Sequence, residues 1–174
     1  MVSKLSDMKQ TTIPDKATML EWLEEVKDPE VPVLSVIDLG IVRDIRWHDT
    51  IPEVVITPTY SGCPAMDLIA TLIRMEMATH GYPGATITTV LSPAWTTDWM
   101  SEKGKQALKA YGIAPPHPKQ QGCDQRLFQE AEAVPCPRCG SYHTQRISEF
   151  GSTACKALYQ CDDCREPFDY FKCH

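Results

Sequence analysis

No stretch of this sequence stays apolar for the roughly 18 residues that a membrane-spanning helix needs. Its start, Met1-Val-Ser-Lys-Leu-Ser-Asp-Met-Lys-Gln, is polar and leads into no apolar core of the kind a secretory signal carries. The expectation is a cytoplasmic protein with no membrane partner. A basic excess is also missing. Residues 1–134 carry 12 Lys and Arg against 18 Asp and Glu, which accounts for the whole net charge of -6, and residues 135–174 carry 5 against 5. Neither portion is equipped to neutralise a phosphate backbone, so nucleic acid is excluded as a partner. Histidine is sparse, and none of His48, His80, His117, His143 and His174 lies close in sequence to the cysteine at which the chemistry of the first two-thirds converges, Cys63. A nucleophilic thiol wants a positioned base, so a thiol enzyme is the weakest reading. What remains is globular: 43% apolar and 23% charged residues, enough for one ordinary domain and a small appendage.

Cysteine is what the sequence has in quantity. In a reducing compartment, cysteines set in Cys-x-x-Cys pairs are metal ligands more often than disulfides. Cys136-Pro-Arg-Cys139-Gly140 and Cys161-Asp-Asp-Cys164 are two such knuckles with 21 residues between them, the spacing of a four-cysteine zinc ribbon. The segment between them and the following Pro167-Phe-Asp-Tyr-Phe171 are β-prone. So small a module has little core of its own, and structural zinc contributes on the order of 10 kcal/mol to its folding. With four protein sulfurs the ion keeps no open position, so the expected role is structural; iron suits the same tetrahedral sulfur set. Cys155 and Cys173 are left over, each either an alternate for a knuckle cysteine or a bystander, and the paired knuckles are the simpler assignment.

The rest of the chain divides by composition. Residues 1–15 read as a flexible arm. From the cap Asp15 to Lys27, Met19, Leu20, Leu23 and Val26 line one face of an amphipathic helix that Pro29 ends. Asp28-Pro-Glu30-Val-Pro32 is held extended by its prolines, and its two acids read most simply as solvated charges beside a helix stop. Alternation over Ile41 to Trp47 and the run Val54 to Pro58 predict two adjacent antiparallel strands. A helix then runs to about His80, and Ala85 to Leu91 reads as a third strand. Trp95 and Trp99, four apart, are expected to pack in the core. Closely spaced prolines mark residues 114–134 as a linker, within which His117 and Cys123 have no ligand-like spacing. The fold class is therefore α+β: a small two-layer α/β domain over residues 16–113 and a zinc-ribbon-like β domain over residues 135–174.

Cys63 lies between a strand and a helix, in Pro58-Thr-Tyr-Ser-Gly-Cys-Pro-Ala-Met-Asp67. With Pro64 at the first helical position, Cys63 becomes the cap, where free N–H groups and the helix dipole favour a thiolate over a thiol. A buried cysteine acting only as a small hydrophobe is the plain alternative.

Asp28-Pro-Glu-Val-Pro32, Asp38-Leu-Gly-Ile-Val42 and Thr57-Pro-Thr59 with Cys63-Pro64 together resemble the α/β domain of iron-sulfur and metal-sulfur cluster assembly factors. Trp95-Thr-Thr-Asp-Trp99, Phe150-Gly-Ser-Thr-Ala-Cys-Lys-Ala-Leu-Tyr159 and Phe168-Asp-Tyr-Phe-Lys-Cys173 narrow this to the D-subunit family of bacterial phenylacetyl-CoA epoxidase systems of phenylacetate catabolism. The resemblance implies an accessory protein without chemistry of its own. It implies help in iron or iron-sulfur maturation of a di-iron oxygenase subunit or of its iron-sulfur flavin reductase, or else a structural or regulatory place in that complex. It carries over Cys63 as the transfer residue, with Asp28, Glu30, Thr57 and Thr59 as neighbours and a transient iron or cluster as cargo. Tyr60-Ser-Gly62 is an addition to the family's loop. Because the first domain holds no second cysteine, cargo there is expected to be shared with a partner or with a second copy in a homodimer.

Overall fold

A computed structural model describes residues 13–116 and 134–172. The expected arm (apart from residues 13–15), most of the linker, His117, Cys123 and Cys173 lie outside the described residues. The order through the first domain is α1 (Lys16–Leu23), β1 (Val42–His48), β2 (Ile51–Ile56), α2 (Met66–Thr79) and β3 (Thr86–Thr89). β1 pairs antiparallel with β2, and β2 pairs parallel with β3 through the α2 crossover, giving the strand order β1-β2-β3. One layer of helix covers this sheet. Met19 and Leu23 of α1 and Ile69, Ile73 and Met77 of α2 are buried in one cluster with Ile45, Val54 and Ile56 of the strands.

Helix α1 is shorter than its periodicity predicts. Asp15 caps it, accepting the Thr18 N–H at 2.9 Å, but regular helix stops at Leu23. The N–H groups of Glu25 and Val26 then bond three residues back, to Trp22 and Leu23. This tightening turns Val26 inward and lets Lys27 bridge Ser35, with Val36 N–H reaching the Val26 carbonyl at 2.9 Å. β3 is likewise trimmed to four residues, Thr86–Thr89, the length that β2 can pair.

The segment after β3 fastens back onto the loop Ser35–Gly40. Asp38 takes the Ser101 hydroxyl at 2.6 Å and the Ser35 hydroxyl at 2.9 Å, and its carbonyl accepts the Ser101 N–H. Burial pushes the Asp38 carboxyl up, but those hydroxyls outweigh it and hold it below its usual value. Ser101 in turn caps α3 (Glu102–Tyr111) through the Gly104 N–H. Gly40, at φ +67°, passes so close to the Trp99 carbonyl that a Cβ would collide with its oxygen. Only glycine fits there. Trp95 is buried and donates to the Leu39 carbonyl at 2.9 Å, whereas Trp99 is half-buried beneath the Arg43 guanidinium.

The second sheet is not independent of the first domain. Its strands β5 (Thr144–Ser148), β6 (Lys156–Cys161) and β7 (Pro167–Phe171) run antiparallel in sequence order. A short strand β4 (Ile113–Ala114), continuing directly from α3, adds in parallel to β7 and gives the order β4-β7-β6-β5. Phe171 at the end of β7 is 2% exposed, packs edge-on against Trp95 and shares the first domain's hydrophobic cluster with Cys155. The ribbon is thus docked by a shared strand and a shared core.

Candidate functional site

Two groups of cysteines stand out. In the first, the knuckles bring Cys136, Cys139, Cys161 and Cys164 together so that all four sulfurs lie within 4.8 Å of one another. Gly140, at φ +78°, turns the chain after the first knuckle and its N–H reaches the Cys136 carbonyl at 2.9 Å. Arg165, at φ 64°, does the same after the second, where Cys161 N–H bonds the Glu166 carbonyl. The Cys136 and Cys164 sulfurs are 3.7 Å apart and those of Cys139 and Cys161 are 3.5 Å apart. Tetrahedral zinc-thiolate bonds of about 2.3 Å place ligand sulfurs about 3.8 Å apart, so this set fits such an ion. The N–H groups of Cys164 and Asp163 outweigh burial and hold the Cys161 thiol down, whereas at Cys139 the Ser141 N–H is outweighed by burial and the neighbouring thiols, which push that thiol up, so the metal-free set shares its protons.

The second group is assembled around Cys63. Regular helix begins at Met66 with Ala65 in the cap position, two residues later than the sequence suggests. Cys63 closes the turn before it, its N–H on the Tyr60 carbonyl and its carbonyl on the Met66 N–H. The expected thiolate stabilisation is reversed. Burial pushes the Cys63 thiol up, and the carboxylates of Glu30 and Asp28 push the same way. The Ala65 N–H and the Thr59 hydroxyl, both bonded to the sulfur, oppose this without overcoming it. The helix dipole does not prevail here because the thiol is buried and lies two residues before the cap, and two acids from a distant loop add to the effect.

Those acids are not solvated charges. Asp28 is buried, and one of its oxygens receives the N–H groups of Glu30 at 2.8 Å and Val31 at 2.7 Å. Burial still pushes its carboxyl up. Its role is to fold the Pro29 turn that presents Glu30 toward Cys63. Thr59 bonds Cys63 directly, whereas Thr57, 1% exposed at the end of β2, has a hydroxyl sealed from solvent without a partner among the described residues. Tyr60, in the added loop, keeps its hydroxyl out of solvent near Cys63, and burial pushes it up.

One member of this group is invisible in the sequence. Cys155, from the loop before β6, places its sulfur 3.6 Å from the Glu30 carboxylate, 125 residues away along the chain. The same chain thus brings a second thiol, from outside the first domain, to the acid that acts on Cys63. The available signal is an unassigned cysteine between the two knuckles, with nothing local to say where it points.

Comparison with known proteins places these sites in context. Residues 16–91 match the family model described as iron-sulfur cluster assembly protein, and residues 120–172 match the one described as PaaD zinc beta ribbon domain. The chain is 51% identical over 151 residues to the protein of Escherichia coli strain K12 named as the D-subunit of 1,2-phenylacetyl-CoA epoxidase, covering 87% of this chain and 88% of the relative. The chain belongs to the phenylacetyl-CoA epoxidase D-subunit family. Its first part is also 33% identical over 103 residues to a protein of Porphyromonas gingivalis named Fe-S protein maturation auxiliary factor, covering 58% of this chain and 97% of that one. Among solved structures it is similar to a domain of unknown function, DUF59, from Bacillus anthracis, at 27% identity and a TM-score of 0.48, covering 53% of this chain and 89% of that chain. Among the described residues, no helix of this D-subunit family member is long and apolar enough to cross a membrane. Its family model for the first part ends at residue 91, short of α3 and β4, the elements that carry the chain onto the ribbon.

Proposed function

We propose that the chain is a cytoplasmic, non-catalytic accessory protein of a phenylacetyl-CoA epoxidase system. On this reading residues 16–113 form an iron or iron-sulfur transfer domain and residues 114–134 join it to a zinc ribbon at residues 135–174. Cys63 receives cargo iron and hands it to the di-iron oxygenase subunit or to its iron-sulfur flavin reductase. Zinc on Cys136, Cys139, Cys161 and Cys164 is structural, because four protein sulfurs leave it no open position.

The observation that carries this reading is the surroundings of Cys63. A half-buried thiol whose neighbours are Glu30, Asp28, Thr59 and Tyr60 offers soft sulfur beside carboxylate oxygen, a donor mixture suited to ferrous iron. A nucleophile needs the opposite, a thiol pushed down by a cation or a base. The described histidines, His48, His80 and His143, pair with Glu53, Glu76 and Asp163 instead. A purely structural or regulatory subunit is the second reading, favoured by the docked ribbon, which joins both domains into one surface for a partner or a second copy.

Producing the oxygenase and reductase in cells with and without this protein separates these readings. The transfer role predicts client protein of normal yield but with iron or cluster content reduced severalfold when the chain is missing. A structural role predicts full metal content and a failure of assembly.

A further inference from the structure

Cys155 is the buried nucleophilic group that the proposed function does not use, and its placement is elaborate. The loop Gly151–Cys155 is pinned from several sides. The Gly151 N–H bonds the Lys156 carbonyl at 2.7 Å, and the Lys156 N–H bonds the Thr153 carbonyl at 3.1 Å. The Ser152 hydroxyl bonds the Asp169 carboxylate at 2.7 Å. Gly151 lies so close to that carboxylate that a Cβ would collide with its oxygen. On the other side, the Lys172 N–H holds the Cys155 carbonyl at 3.0 Å. None of this is needed to close the ribbon, whose four sulfurs are complete without it.

The fixed loop delivers a 5% exposed thiol onto the other domain's acids. Cys155 Sγ faces Glu30 Oε2 at 3.6 Å and takes the Thr153 hydroxyl at 3.0 Å. Glu30 acts on both thiols, and Cys63, Glu30 and Cys155 all act on Tyr60, so the two sulfurs and the carboxylate share one neighbourhood. Lys156, 3% exposed, adds its charge to Asp28 and Cys155 and sits 3.9 Å from Asp169. Cys155, Asp28 and Asp169 therefore share the charge of one buried lysine.

We propose that Cys155 is the second sulfur of the transfer site, so that Cys63, Cys155 and Glu30 hold one thiophilic divalent cation, ferrous iron as cargo, with the fourth position left for a ligand from the client. The inference rests on the transfer reading of Cys63 and extends it: the ribbon supplies half of the sulfur. On coordination each thiol gives its proton to solvent and nothing is oxidised or reduced. Among the described residues only the ribbon sulfurs form a group of three or more donors drawn within 4.8 Å. The transfer donors are spread wider and close onto the ion when it arrives. An S2O set with one open position holds metal more loosely than a closed four-sulfur site, as a donor must.

Anaerobic titration of the full-length, zinc-loaded protein with cobalt(II) tests this. The wild type should bind one further equivalent with sulfur-to-cobalt charge-transfer absorption. Cys63→Ser and Cys155→Ser should each halve that absorption and weaken binding at least about tenfold, and the double variant should abolish it. Cadmium NMR of the unaltered protein gives a check free of any folding defect in the variants: a second resonance should appear upfield of the four-sulfur ribbon signal. If Cys155→Ser binds cobalt like the wild type while Cys63→Ser does not, Cys155 is no ligand and the transfer role of Cys63 survives. A single four-sulfur cadmium resonance in the unaltered protein overturns the two-thiol site outright.

Discussion

Replacing Cys161 by serine should strip the metal from the ribbon and unfold it while the first domain stays folded. Serine is a poor ligand for a soft ion, and the loss is on the order of 10 kcal/mol of folding free energy. What is left to hold the ribbon is its docking. Burial of the Phe171 side chain against Trp95 is worth roughly 2 kcal/mol, and the β4 to β7 pairing covers only Ile113 and Ala114. Neither replaces the metal. The first domain keeps its own core of Met19, Leu23, Val54, Ile56, Ile69, Ile73 and Met77. Zinc analysis with hydrogen exchange should find less than one zinc per chain and unprotected amides in β5 to β7, against retained protection in β1, β2 and α2. The same variant should weaken cobalt binding at Cys63 as Cys155→Ser does, because Cys155 and its pinned loop go with the ribbon. Full zinc and full protection would contradict the four-cysteine assignment.

Cys63→Ser should have the opposite character, a large functional loss with an intact fold. Serine is nearly isosteric, can keep the hydrogen bonds to the Ala65 N–H and the Thr59 hydroxyl, and lies outside the ribbon cluster. Its hydroxyl does not hold iron at neutral pH. Oxygenase produced beside the variant should therefore carry about tenfold less activity or worse, while zinc content and thermal denaturation stay as in the wild type. Oxygenase that is already mature should turn over normally when mixed with the variant, since transfer precedes catalysis. Unimpaired maturation in cells would assign the function to the domain surface instead of the thiol.

Much of this arrangement is legible in the chain itself. Alternation over Ile41 to Trp47 and helical spacing over Met66 to Met77 announce β1 and α2, because one buried face imposes a period. The knuckles announce a metal site because two residues between cysteines are what lets both sulfurs face one ion. Contacts made by docking are not legible. The approach of Cys155 to Glu30 depends on β4 joining β7 and on Phe171 reaching Trp95, pairings that no local pattern encodes. Local pattern also conceals the roles of Asp28 and Glu30, which only the family resemblance sets beside Cys63. In sequence they end a helix, and only the fold turns Asp28 inward, where it braces Glu30 against a thiol.

The central claim is that iron passes through Cys63 to an epoxidase component. Its most direct test is anaerobic loading of the protein with isotopically labelled iron, mixing with metal-free oxygenase subunit or reductase in the presence of a chelator, and recovery of the client. Wild-type protein should deliver label to one of the two clients in spite of the chelator, and Cys63→Ser should deliver none. Label lost to the chelator from the wild type, or delivered equally by Cys63→Ser, would contradict the account.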